Sequence, residues 1–293
     1  MNARLLIVLA AVLWSLSGFF TRLFDSPWLG LNEPPLSPLQ RAAGRALFAG
    51  LILLPLIRPH QVRFTGQLGA TALAFTLMNA SYITAMTWGT SGSVVLLQYT
   101  APLWIFLVSV LLWGETLQPR DPLTLVLGMV GIGFLLIGGW TGNQLPAVGL
   151  ATVSGVFFGL VLLGLRVQRD QSPVWITVVN LLCAGLALLP FILFDARPTL
   201  AQLGVLALFG GVQLGLPYIL TAYASRYVKP TEAAMLMLVE PILVPVWACL
   251  VDPERERPDG WMVVGGLSIV GSLAYRYWPR RGNPGDERAS EHA

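Results

Sequence analysis

From near the first residue to about residue 277, apolar runs of roughly helix-spanning length alternate with short breaks rich in Arg, Pro and Gly. A bilayer core about 30 Å thick takes roughly 20 mostly apolar residues as a helix. Marking each run between its charged or Pro/Gly breaks predicts ten such helices. They cover residues 4–22, 38–57, 67–88, 92–113, 122–140, 145–166, 173–194, 201–224, 231–251 and 260–277. The expected fold class is therefore an all-α integral membrane protein with ten transmembrane helices. Residues 1–18, with Arg4 ahead of an apolar Leu5–Leu13, have the outline of a secretory signal. No clear small-x-small cleavage site follows, so they are read as the first span. The polar residues 279–293 read as a disordered cytoplasmic tail.

Composition agrees with a membrane bundle. The chain is 55% hydrophobic and 11% charged, where a soluble domain carries about 25% charged residues. Cys183 and Cys249 lie alone in separate apolar runs, which leaves no Cys-pair metal motif and makes a disulfide framework unexpected. The net charge of +3 is almost all arginine, scattered among short loops, and forms no basic, aromatic-interleaved nucleic-acid surface. No cofactor or metal site is expected.

Arg and Lys resist translocation and collect in cytoplasmic loops. With the N-terminus inside, the cytoplasmic set is Arg4, Arg58, Arg63, Arg120, Arg166, Arg169, Arg226, Lys229, Arg276, Arg280, Arg281 and Arg288. The opposite side holds Arg22, Arg197, Arg255 and Arg257, a split of 12 against 4. One helix more or fewer would exchange alternate loops beyond the error and largely dissolve the bias. Both termini are expected to be cytoplasmic.

The chain also repeats itself. A shift of 139 positions lays Asn79–Glu115 on Tyr218–Glu254 without a gap, pairing Pro102 with Pro241, Glu115 with Glu254, Ala85 with Ala224 and Trp88 with Tyr227. A shift of 144 pairs Trp14 with Phe158 and Arg22 with Arg166. Residues 1–141 and 142–278 are thus read as two five-helix repeats. Five is odd, so the second repeat starts from the opposite face and runs inverted. Inverted repeats have two nearly equivalent packings, and exchanging them exposes a midplane site to either side. Channels and membrane enzymes are built from repeats too, so topology alone does not decide function.

The ordered set Trp14 and Arg22, Arg45 in Arg45-Ala46-Leu47-Phe48-Ala49, Tyr99-Thr100-Ala101-Pro102, and Trp113-Gly114-Glu115 resembles the EamA-like ten-helix branch of the drug/metabolite transporter superfamily. The second half carries Leu238-Val239-Glu240-Pro241, Pro253-Glu254, Trp261 and the glycines 265, 266 and 271. The resemblance covers residues 4–278 and implies export of small organic metabolites, such as amino acids, across a bacterial inner membrane. Two departures are Trp14-Ser15 where the family has Trp-Gly, and a longer segment from Asp25 to Ser37, read as a small lid or partner surface.

Arg41 and Arg45 share one face of the second helix, and an arginine at helix centre costs about 2.5–3.5 kcal/mol on insertion scales. Arg41 is expected to snorkel. Arg45 is read either as an anion-recognising group or as a structural bond to helix ends. Glu240 precedes Pro241, which removes a backbone donor mid-span. It is the one acid placed that deep, and is read as a proton-coupling or ammonium-binding group, or as a carboxylate bonded to the broken helix. Pro102 and Pro241 are the helix breaks expected to gate. Trp14, Asn79, Tyr82, Gln98, Tyr99, Phe158, Gln213 and Tyr218 complete the expected lining, aromatic walls with a few polar anchors. Met235 and Met237 are read as gap fillers or flexible lining.

Trp88, Trp113, Trp140, Trp261 and Trp278 fall at helix ends and read as an interfacial belt. Glycines in the fifth and tenth helices permit close internal packing, which favours a monomer over a dimer. His60 and His292 sit in a loop and the tail, and no catalytic constellation is in prospect. The expected function is a secondary transporter for a small-molecule substrate. A channel or facilitator and a multidrug or cation exporter are the alternatives.

Overall fold

A computed structural model describes residues 2–58, 62–113, 119–224, 227–228 and 230–278. Glu115, Arg226, Lys229, Arg280, Arg281, Arg288 and the tail lie outside the described residues. The helices are α1 (Ala3–Ser15), α2 (Ser17–Leu23), α3 (Pro38–Leu53), α4 (Gly66–Trp88), α5 (Ser91–Gln98), α6 (Ala101–Trp113), α7 (Asp121–Thr141) and α8 (Leu145–Val167). There follow α9 (Pro173–Ala187), α10 (Leu189–Phe194), α11 (Leu200–Leu208), a π-helical segment Phe209–Gly215, α12 (Leu216–Ala224), α13 (Pro230–Met237), α14 (Val239–Cys249) and α15 (Gly260–Tyr277).

Local chemistry sets where these helices begin and stop. Ser37 and Thr199 each start a helix with a reciprocal capping box to Gln40 and Gln202. Thr65, Ser172 and Asp259 cap α4, α9 and α15 with a side-chain acceptor. Short breaks divide other rods: Leu16 parts α1 from α2, Tyr99 and Thr100 precede Pro102, and Leu238 stands three residues before Pro241. The last two breaks occupy matching places in the two halves.

Among the described residues, eight helical stretches are long and apolar enough to cross a membrane, so the chain is a multi-pass membrane protein. α4 and α15 are of spanning length, 23 and 18 residues, but fall outside that apolar set. α4 packs on α8 and α9, and it carries Thr71, Thr76, Ser81, Thr84 and Thr87. Each hydroxyl donates to the carbonyl four residues back, at 2.6–2.9 Å, so these polar groups need no partner from outside.

The halves interleave. α4 packs on α8 and α9, α3 on α9 and the π segment, α1 on α12 and α14, and α5 on α8 and α14. α7 and α15 meet where Gly131 faces Gly265: a Cβ built at either would lie 2.8 or 2.9 Å from the other's carbonyl oxygen. Outward, Trp88, Trp140, Trp261 and Trp278 are exposed, as a belt requires.

The Asp25–Ser37 segment is tied down rather than free. Leu31 and Leu36 are buried, and Gln202 Nε2 donates to the carbonyls of Leu31 and Pro34 at 2.9 and 2.8 Å. Reciprocally, Gln40 Nε2 donates to Ala196 O at 2.8 Å. The two capping-box glutamines therefore stitch this segment to the corner between α10 and α11.

Candidate functional site

Arg45 on α3 is buried between the halves. Its Nε and one Nη donate to Asn79 Oδ1 on α4, at 3.0 and 2.7 Å, and the other Nη donates to Gln213 Oε1 at 3.3 Å. Asn79 in turn donates to Ala42 O, and Gln213 donates to Trp14 O at 2.9 Å. The rings of Tyr82 and Phe209 lie 5.6 and 5.2 Å from the guanidinium carbon, within cation–π range.

This contact depends on the π segment. A Cβ built at Gly210 would lie 2.4 Å from Arg45 O and 2.9 Å from Ala49 N, so only glycine lets the segment approach α3 so closely. The wider turn then presents Phe209 and Gln213 to one guanidinium, a use typical of π-bulges at functional positions. Among the described residues no carboxylate lies within salt-bridge distance of Arg45. Its charge is met by neutral acceptors and aromatic faces.

A second group forms at the paired breaks. The Tyr99 hydroxyl, at the end of α5, lies 2.8 Å from Glu240 Oε2 and 2.9 Å from Met237 O. The break before Pro241 leaves Met237 O available and puts Glu240 in the first turn of α14, where a carboxylate faces the positive end of a helix. Tyr82 and Tyr218 are within electrostatic reach of both Glu240 and Arg45. The Tyr82 hydroxyl shares a 3.0 Å hydrogen bond with Ser17, and Trp14 packs edge-on against Tyr218 at 5.4 Å.

The structure therefore gathers Trp14, Arg45, Asn79, Tyr82, Gln213 and Tyr218 around one group, and Tyr99 and Glu240 beside it. Phe158 is set back in a cluster with Phe75, Met78 and Tyr218. Gln98 lies against α8, where Gly155 closely approaches the α5 backbone. Pro241 is buried and Pro102 half-buried behind the breaks.

Two charge assignments are corrected. Arg41 does not snorkel: it is 3% exposed and donates to Thr21 O, Leu36 O and Asp25. Arg22 is no solvated loop charge either; it is buried and paired with Glu256, also buried. Arg255, which donates to Thr87 O, is half-buried there, and burial and the neighbouring Arg22 lower its pKa. Nothing in the local pattern around Glu256 distinguishes it from a solvated loop acid.

The EamA-like transporter family matches twice, over residues 1–137 and 145–277. The chain belongs to the EamA-like transporter family. It is 31% identical over 201 residues to an uncharacterized transporter of Archaeoglobus fulgidus, covering 67% of this chain and 72% of that protein. It is 28% identical over 252 residues to an uncharacterized protein of Pseudomonas aeruginosa, covering 83% of this chain and 85% of the relative. A solved crystal structure at 20% identity superposes with a TM-score of 0.63 over 93% of this chain and 96% of its own, which shows the shared fold. This EamA-like protein is thus a membrane transporter built from two family repeats.

Proposed function

We propose that the protein is a secondary carrier of ten spans in two inverted five-helix repeats, exporting small amphipathic or zwitterionic metabolites by alternating access. The observation that carries this reading is the Tyr99–Glu240 contact at the two matching helix breaks, beside a buried arginine with no carboxylate partner. Glu240 offers a carboxylate and Arg45 a cation, and Tyr82 and Tyr218 are within electrostatic reach of both. These are groups that suit a small amphipathic solute.

α4 and α15, of spanning length, serve as the ninth and tenth spans. The five-helix parity then inverts the second repeat. Arg4 pairs with Glu232 at one end of the bundle, while Arg22, Asp25, Arg41 and Arg255 gather together at another place. Both termini face the cytoplasm of a bacterial inner membrane, a reading supported by the arginine census. The carrier works as a monomer.

Glu240 is the proton-sensitive group. The Tyr99 hydroxyl has one proton for two acceptors, Met237 O and Glu240 Oε2. A proton on Glu240 completes both bonds, with Glu240 donating to Tyr99 and Tyr99 to Met237. Efflux from proteoliposomes over a panel of amino acids and related amphipathic compounds, with and without a pH gradient, tests the reading in wild type and Glu240→Gln. Saturable efflux that loses its pH response in the variant is expected. Absence of transport for every compound would sink the carrier, and unchanged pH-independent efflux in the variant would remove Glu240 from coupling.

A further inference from the structure

The half-helices α5 and α14 come from different halves of the chain and are fastened together at both ends. At the site end, Tyr99 closes α5 and holds Glu240 in the first turn of α14. At the far end, Ser91 opens α5 and holds Glu256 from the segment after α14: the carboxylate accepts from the Ser91 N–H at 2.9 Å and from its hydroxyl at 2.7 Å. Between the two fastenings the rods touch closely, since a Cβ built at Gly92 would lie 3.2 Å from the Pro245 Cβ.

Arg22, at the end of α2, completes the far fastening. Its Nε donates to Glu256 Oε1, and its Nη groups donate to Gly89 O and Thr87 O. The carbonyls lie at the C-terminal end of α4 and the N–H at the N-terminal end of α5. Each buried charge thus faces the helix end of opposite partial charge. Both side chains are fully buried. A buried pair whose remaining groups are bonded is costly to break by losing one partner.

We propose that Arg22, Glu256 and Ser91 form a latch that holds this end of the bundle shut, and that α5 and α14 make its release depend on the Tyr99–Glu240 contact. An eight-residue helix is a rod of about 12 Å, so a displacement at Tyr99 is delivered to Ser91. Arg22 and Glu256 lie 234 positions apart in the chain, so the latch joins the two repeats directly. The inference goes beyond the carrier reading, and opening is measured without any transported compound, so the two fail separately.

The test uses the full chain, purified in detergent, with Cys183→Ser, Cys249→Ser and Gln98→Cys as reporter. The label is a membrane-impermeant methanethiosulfonate. Glu256→Gln is expected to raise the labelling rate about tenfold as the open population grows. Tyr99→Phe with the latch intact is expected to raise it as well, and the double variant to label no faster than Glu256→Gln alone. Where Glu256→Gln fails to fold, Ser91→Cys/Glu256→Cys decides, with labelling read at residue 98 alone by peptide mass spectrometry: oxidation to the disulfide should slow it, and reduction should restore it. A rate within about twofold of the control in a folded Glu256→Gln protein, or no change on closing the disulfide, would overturn the latch. Additive effects of Tyr99→Phe and Glu256→Gln would overturn the coupling.

Discussion

Replacing Asn79 by alanine removes the acceptor that takes two of the Arg45 donors, at 3.0 and 2.7 Å, together with the 3.0 Å bond to Ala42 O. Hydrogen bonds inside membrane bundles average about 0.6 kcal/mol and reach about 1.7, and stranding buried donors adds about 1–3 kcal/mol. Asn79→Ala is thus expected to cost about 3 kcal/mol, roughly a hundredfold in the folded to unfolded ratio. In an Arg45→Met background the charge is gone, and the same substitution should cost only about 1 kcal/mol, a coupling of about 2 kcal/mol. Reversible unfolding in mixed micelles with rising dodecyl sulfate, followed by tryptophan fluorescence, measures all four corners of the cycle. Equal costs in both backgrounds would refute the reasoning, because Asn79 would then stabilise the fold without holding the guanidinium.

Gly131→Val should lower stability by about 1–3 kcal/mol, since even its Cβ would sit 2.6 Å from Ile269 Cγ1 and 2.8 Å from Gly265 O. The control Gly133→Ala, which points into open space, should stay within about 0.5 kcal/mol in the same melting assay. Gly210→Ala pushes the π segment off α3 and should cut efflux more than it cuts stability, because Gln213 and Phe209 lose their aim at Arg45; equal losses would make the segment purely structural. Trp140, which is highly exposed, should contribute fluorescence quenched more by lipids brominated near the headgroup than by those brominated at chain ends. The comparison is wild type against Trp140→Phe, and stronger quenching from the chain ends would displace the belt.

The helices were legible because a membrane span has a nearly fixed length and its ends carry visible punctuation. The run 173–194, for instance, begins at Pro173 behind the Ser172 cap and ends with α10 at Phe194. The members of the site were legible one by one, as polar or aromatic side chains in apolar runs. Their pairing was not. That Arg45 bonds Gln213 rests on a π turn, which adds a residue to one coil and leaves the hydrophobic pattern of the Phe209–Gly215 stretch unmarked. The pairing of Arg22 with Glu256 was illegible for a related reason. Hydropathy treats a charge near a helix end as solvated, and the bonds that bury it come from residues far away in the chain.

The same distinction explains why apolarity singles out eight stretches while α4, at 23 residues, is excluded. A transfer scale measures how well a segment tolerates lipid, and α4 faces α8, α9, α3 and α5 instead. Its five Ser and Thr hydroxyls donate to its own carbonyls, and Asn79 is spent on Arg45 and Ala42. A helix so satisfied carries polar atoms across the bundle without exposing them to hydrocarbon. On α4 the polar atoms are closed within the bundle, and it is on this rod that Asn79, an acceptor for the buried arginine, is found.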